Sequence, residues 1–362
     1  MLVLIRKIIC YILSTLIFVS VQFFGAGNEK IDSLDSVTMI EDGFYTMNYT
    51  YNYDVDKMLD EGVSSHVQLI FKGLCDAAFG GIKGLGCTTF NCVTPGGDYI
   101  LGRNFDYTES DYMLVWTDPE DGYASISSVA LIFNGYDSDF TPQSKENRAL
   151  TLLAPYAPLD GINEKGLSIA ILELEKTPVF QTTEKVDLTT TTIVRAVLDK
   201  AASVDEAVEI FNSYDLRDML LGGCTYHYQI ADAYGNSVVV EYVDGKMNLV
   251  YPEKNESNAV DYIVAANYFL TEGVDDPDGM GYERADTVYA ALNATRGIST
   301  QKNAMQILKS VSMKDESLHG YICSTLWSAV YNMNDLTADI CVNNNYERVY
   351  QFSINQPQII LN

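Results

Sequence analysis

Histidine is nearly absent from this chain of 362 residues, which has three in all, His66, His227 and His319. They stand isolated, so there is no good candidate for a Cys-His or Ser-His-Asp layout, and no ligand spacing for a zinc site. No cofactor or metal is expected. His227 sits in an alternating strand pattern and reads as structural. Basic residues are few as well: 23 Lys and Arg stand against 49 Asp and Glu, a formal charge of −26. Repulsion at that charge excludes nucleic acid and anionic membrane surfaces as partners. Cysteine is sparse and irregularly spaced, seven in all (Cys10, Cys75, Cys87, Cys92, Cys224, Cys323 and Cys341), unlike a disulfide scaffold. The last six are enough for three bridges, although a chain this long does not need staples and several read as plain buried thiols.

What is present begins with Arg6 and Lys7, an apolar run from Ile8 to about Ala26, and the small residues Gly25, Ala26 and Gly27. This is a secretory signal pattern. The run also approaches the ~20 residues that cross a bilayer. Residues 1–27 are therefore a cleaved signal peptide or a retained anchor, and the rest is expected to be secreted or on the extracellular face. Membrane contact is expected only if that segment stays uncleaved.

Residues 28–86 differ in character from the remainder of the chain. A polar, Tyr-rich opening, "GFYTMNYTYNYDVD", precedes apolar positions at helical spacing in "VDKMLDEGVSSHVQLIFKGLCDAAF", and the segment ends in "GGIKGLG". From Cys87 onward, blocks of strand pattern alternate with helical ones. Strands are predicted for "CTTFNCVT", "YILGRNFDY", "GLSIAILEL", a meander at 226–251 with turns at Gly235-Asn236 and Asp244-Gly245, and the C-terminal stretch from Ser324. Helices are predicted for "TTTTIVRAVLDKAA", "SVDEAVEIFNSY" with a Ser203/Glu206 capping box, "YERADTVYAALNA" and "QKNAMQILKSV". Antiparallel strand blocks separated by helix pairs imply layered sheets with helices outside. No internal repeat or linker divides residues 87–362, which read as one domain.

The chemistry gathers around Cys87. A two-residue turn at Gly96-Gly97 places Cys87 opposite Asp106; a turn one residue earlier places it opposite Asn104. Alternation puts Arg103 and Asp106 on opposite faces, so a bulge is needed to bring both to Cys87. By residue type alone, Cys87 reads equally as packing or as a disulfide half with Cys75 or Cys92. Arg103 and Asp106 read as an ordinary ion pair, Asn163 in "NEKG" as a turn residue, Asn267 as a strand-end cap and Arg284 as a helix first-turn residue.

Together, Cys87-Thr88 and "GRNFD" (102–106), then "DGINEKGL" (160–167), "YHYQIADAYGNSVVVEY" (226–242), "AANYFLT" (265–271), "YERADTVY" (282–289) and "TLWSAVYNM" (325–333), resemble in order the linear amide C-N hydrolase, or choloylglycine hydrolase, family of N-terminal-nucleophile (Ntn) hydrolases. The resemblance implies an α+β fold, a four-layer αββα sandwich of two antiparallel sheets, here preceded by a mostly helical pre-segment. It implies Cys87 as nucleophile, Arg103 and Asp106 as its partners, Asn163 through its main-chain N–H and Asn267 through its side-chain N–H as oxyanion-hole residues, and Arg284 as a further site arginine. Ala266 stands where that family has Thr, and the Ser-rich lead-in to Arg284 is missing. The implied activity is hydrolysis of a small N-acyl amide after autocatalytic cleavage before Cys87, whose freed α-amine replaces the missing histidine. The 28–86 segment is then closest to the amidase and ceramidase branch, in which it stays bound as a small subunit. A homo-oligomer stays open. Two other readings remain: an acyltransferase of the isopenicillin N type and a disulfide-bonded secreted binding protein.

Overall fold

The computed structural model describes residues 10, 12, 14, 15, 27–64, 86–174, 178–217, 225–318 and 320–360. Most of the apolar N-terminal run, the stretch 65–85 with Cys75 and His66, Cys224 and His319 lie outside the described residues. In chain order, helix α1 (Gly27–Ser36) leads to strands β1 (Thr38–Glu41) and β2 (Phe44–Tyr49) and helix α2 (Val55–Glu61). Then come β3 (Gly86–Val93), β4 (Tyr99–Tyr107), β5 (Tyr112–Thr117), β6 (Ser125–Ala130), β7 (Asp160–Asn163), β8 (Leu167–Leu174) and β9 (Asp187–Thr189). Helices α3 (Thr190–Lys200) and α4 (Val204–Ser213) precede β10 (Asp215–Arg217), β11 (Thr225–Asp232), β12 (Ser237–Val243), β13 (Lys246–Val250) and β14 (Val264–Ala265). Helices α5 (Tyr282–Thr295) and α6 (Gln301–Ser310) are followed by β15 (Glu316–Leu318), β16 (Tyr321–Asn332), β17 (Thr337–Val342), β18 (Tyr350–Ser353) and β19 (Gln356–Ile360).

Two sheets form the centre. One runs β1-β2-β5-β6-β7-β8-β11-β12-β13, the other β14-β3-β4-β16-β17-β18-β19 with β15 paired to β16. Strand alternation sorts their side chains into an inner face, where the sheets meet, and an outer face under helices. On the outer face of the first sheet, Tyr228 packs its ring 4.8 Å from Phe211 of α4. The second sheet buries Phe90, Cys92, Ile100 and Val330 against Val288 and Leu292 of α5 and Ala304 and Leu308 of α6. This is the αββα layering expected from the sequence. Local chemistry agrees with it: the Ser203 side chain caps α4 by accepting from Glu206 N.

The pre-segment is more than helical. The Tyr-rich stretch supplies β2, which pairs with β1 and, in parallel, with β5 at the sheet edge. Phe44, Tyr45, Met47 and Tyr49 point into the main core, and Tyr53 Oη donates to Asp199 Oδ2 of α3 at 2.8 Å. Alternating aromatic and β-favouring residues make this stretch fit a half-buried strand despite its polar look.

Candidate active site

The site is set by the β3–β4 hairpin. Thr94 N donates to Asp98 O at 2.7 Å and Gly97 N to Thr94 O at 3.0 Å, closing a three-residue turn over Pro95, Gly96 and Gly97. The register is one residue off the two-residue turn read from sequence: Cys87 stands opposite Phe105 and Gly86 opposite Asp106. Neither Asp106 nor Asn104 is the direct partner of Cys87. Instead Arg103, two residues from Phe105, shares the inner face with Cys87, and Asp106 and Gly86 lie on the other face. The bulge expected to bring Asp106 to the Cys87 face is absent, the β3–β4 register being unbroken; the nearby irregularity lies in β16, between Thr325, opposite Asp106, and Trp327, opposite Phe105.

Arg103 is fully buried, with Nη1 3.2 Å from Cys87 Sγ and 2.8 Å from Asn104 O. Its Nε donates at 2.5 Å to Asp160 Oδ2, which also accepts from Trp327 Nε1 at 3.0 Å. Tyr331 Oη donates to Asp160 Oδ1. A lone guanidinium in this setting would carry a heavy desolvation cost, and Asp160 from the facing sheet offsets it. Asp160 opens the "DGINEKGL" motif, yet nothing in the sequence shows that β7 brings it to Arg103. Burial pushes the Cys87 thiol above its ordinary value, the Arg103 guanidinium pulls it back down, and Asp106 adds to the rise.

Asp106 reaches the site through a third residue. Its Oδ2 accepts from Arg284 Nη1 at 2.7 Å and its Oδ1 from Thr325 Oγ1 at 2.5 Å. Arg284 Nη2 in turn donates to Asn267 Oδ1 at 2.8 Å, and the same oxygen accepts from Cys87 N at 2.7 Å. Asn267 Nδ2 donates to Glu173 O at 3.0 Å. Arg284 is placed by Gly281, which caps α5 in the left-handed region at φ +82; a Cβ there would stand 2.5 Å from Arg284 Nη2. Cys87, Arg103, Asp106, Asn267 and Arg284 therefore form one connected cluster.

Asn163 does not join it. At the end of β7 its Oδ1 accepts from Lys165 N and Leu167 N, both at 3.0 Å, and its Nδ2 donates to Leu198 O and Ala201 O. Its main chain pairs with Ser125 of β6. The Asn163 side chain thus closes the β7–β8 turn, satisfying N–H groups two and four residues on, while the oxyanion donor implied by the resemblance is its main-chain N–H. Cys87 and Cys92 are both free thiols. Five residues apart on one strand, they face opposite sides of the sheet, so they do not bridge. His227, the one imidazole among the described residues, bonds Glu241 and Ala266 O instead of Cys87.

Two mainly antiparallel sheets between helical layers, with a thiol near the start of an inner strand, define an Ntn-hydrolase sandwich. The model of the linear amide C-N hydrolases, choloylglycine hydrolase family, matches residues 87–269, and the chain belongs to that family. Among known proteins it is similar to the penicillin V acylase of Pectobacterium atrosepticum, 28% identical over 194 residues, 49% of each protein. It thus spans about half the length of that curated relative. Its fold is shared with the conjugated bile acid hydrolase from Clostridium perfringens (16% identity, TM-score 0.53, covering 74% of this chain and 92% of that one). It is shared also with the penicillin V acylase from Agrobacterium tumefaciens (19% identity, TM-score 0.50, covering 71% and 83%).

Proposed function

We propose that this chain is a cysteine amidohydrolase that matures by cutting itself between Gly86 and Cys87 and then hydrolyses a linear N-acyl amide. The observation that carries the reading is the thiol 3.2 Å from a buried guanidinium, with its own main-chain nitrogen held by Asn267. In maturation the Cys87 thiol attacks the Gly86 carbonyl, the acyl group passes from nitrogen to sulfur, and water hydrolyses the thioester. This frees the Cys87 α-amine, whose reference pKa of ~7.7 to 8.0 suits a general base near neutrality.

In turnover the α-amine takes the thiol proton and the thiolate, faced by Arg103, attacks the substrate carbonyl. The Asn267 carboxamide and the Asn163 main-chain N–H support the oxyanion, the amine departs with the proton, and water releases the acid from the thioester. Asp106 and Arg284 fix the Asn267 oxygen that receives the Cys87 nitrogen. The 28–86 segment stays bound as a small fragment, a reading supported by the β2–β5 pairing and the Tyr53–Asp199 contact. Export from the cytoplasm rests on the pattern of residues 1–27.

Room for substrate is available close by. A cavity of about 780 Å³ is lined by Val179, Phe180, Tyr242, Phe269 and Thr271, and its wall starts two residues past Asn267. Its apolar residues suit the acyl group of a conjugated bile salt, a fatty N-acyl amine or a penicillin V-like amide, and Asp244, Asn248, Glu272 and Asp275 give the same cavity a polar, acidic side. Intact mass spectrometry with a panel of such amides tests the reading. Wild type should show two fragments and release amine, whereas Cys87→Ala should remain one inactive chain. A single active chain would overturn it.

A further inference from the structure

We infer that His227 and Glu241 are positioning residues for the proposed reaction: they clamp the segment Ala266–Thr271 on both sides of Asn267 and so set where its carboxamide stands. The part assigned to Asn267 rests on the amidohydrolase reading.

The need for a clamp follows from the fold. Strand β14 is two residues long, so the ladder with β3 ends at Ala265, one residue before the segment that carries Asn267. The polar main-chain groups beyond it must find partners elsewhere. Asn267 itself exchanges N–H and C=O with Met280, Phe269 N donates to Asp276 Oδ2, and on either side of these the facing sheet supplies partners through two side chains that are 0% exposed. His227 Nε2 lies 2.7 Å from Ala266 O, and its Nδ1 lies 2.9 Å from Glu241 Oε1. Both partners are acceptors, and each ring nitrogen meets its own as a donor where it carries the proton. Glu241 Oε1 also accepts from Leu270 N at 2.8 Å, and its Oε2 accepts from Thr271 N at 2.9 Å and Thr271 Oγ1 at 2.7 Å. His227 thus holds the residue just before Asn267, and Glu241 holds the third and fourth residues after it. Burial works to raise the Glu241 carboxyl, but His227 and the segment's N–H groups outweigh it and leave the carboxyl below its usual value.

Packing alone is a poor reason for such a pair. A buried ion pair is often matched or bettered in stability by apolar residues of the same volume. What the pair contributes is geometry: its four contacts flank the residue whose own main chain is bridged to Met280, and together they leave that residue little freedom. Asn267 must present one carboxamide to Cys87 N, Arg284 and Glu173 O together, and a displacement on the order of 1 Å at such a group can cost about 100-fold in rate.

The test uses the full chain with His227→Gln and Glu241→Gln, which keep volume while breaking the clamp. Turnover of a small N-acyl amide should fall about 10- to 100-fold in kcat, with KM within about threefold of wild type. The Asn267 side-chain amide resonance, identified by its loss in Asn267→Ala, should shift in both variants. Thr271→Val removes one arm only and gives a folded comparison; it should shift that resonance and lower kcat by a smaller factor. An unchanged kcat, a loss confined to KM, or an unmoved resonance overturns the inference. Absence of Cys87-dependent turnover in wild type would overturn the amidohydrolase reading instead, while the resonance would still report on the clamp.

Discussion

Replacing Gly86 by alanine should slow maturation and spare the mature enzyme. A Cβ at position 86 would stand 2.9 Å from Asp106 Cβ, 2.9 Å from Asp106 Oδ2 and 2.9 Å from Met313 Sδ. Real Cβ atoms do not approach so closely, so the Asp106 carboxylate must move. That movement strains its 2.7 Å bond to Arg284 and its 2.5 Å bond from Thr325. Arg284 also holds Asn267, which holds Cys87 N, so the disturbance reaches the scissile bond from both sides. Overpacking of this kind costs ~1–3 kcal/mol, which in a barrier is a slowing of about 5- to 150-fold. The measurement is a time course of precursor cleavage by denaturing gel or intact mass. After the proposed cleavage residue 86 is the free end of the bound small fragment and no longer tied to Cys87, so kcat of the processed variant should lie within about twofold of wild type. Cleavage at the wild-type rate or faster, or impaired turnover after complete cleavage, would refute the reasoning.

Other expectations are as direct. Asp160→Asn leaves the buried Arg103 without its countercharge and should destabilise the fold by ~3–5 kcal/mol, read as a lower urea midpoint; an unchanged midpoint counts against the Arg103–Asp160 pair. Tyr53→Phe removes the 2.8 Å hydrogen bond to the Asp199 carboxylate and should cost ~1.5–3 kcal/mol, seen as easier release of the small fragment in denaturant. Burial pushes the Asp199 carboxyl up to about 6 against the pull of Arg195. The folded chain therefore keeps a proton that the unfolded chain, with a reference value of ~3.9, releases. This part of the stability is full at about pH 4 and is lost as the pH rises through about 6. Asp199→Asn should flatten that slope in urea midpoints taken at pH values on either side, and an unaltered slope would rule the assignment out.

Most strands and helices from Cys87 onward were legible because their periods are clean and their ends carry turn and cap residues: Ser203 caps α4, and Asp244-Gly245 turns β12 into β13; β5 and β6, buried on both faces, were not. Registers and meeting points were not. Thr94 pairs with Asp98 through hydrogen bonds local to the turn, and that pairing shifts Cys87 from Asp106 to Phe105. Arg284 lies 178 residues from Asp106 and touches it only because α5 packs on the second sheet. Asn163 shows that two readings of one residue need not compete: its side chain serves the turn that "NEKG" suggested, and the role implied by the resemblance falls to its main-chain N–H. Asp160 and Glu241 escaped notice because a buried carboxylate looks like any surface one until its partner on another strand is known.

The parallel pairing of β2 with β5 bears on how the protein can be made. A gene begun at Cys87 would translate the proposed catalytic domain with the β5 edge bare and the inward aromatics of β2 missing. Exposed edges of that kind recruit strands from other chains, so the large fragment produced alone should aggregate. Supplying residues 28–86 as a separate polypeptide during synthesis should restore solubility. The segment ahead of Cys87 then acts for its own chain as a folding template.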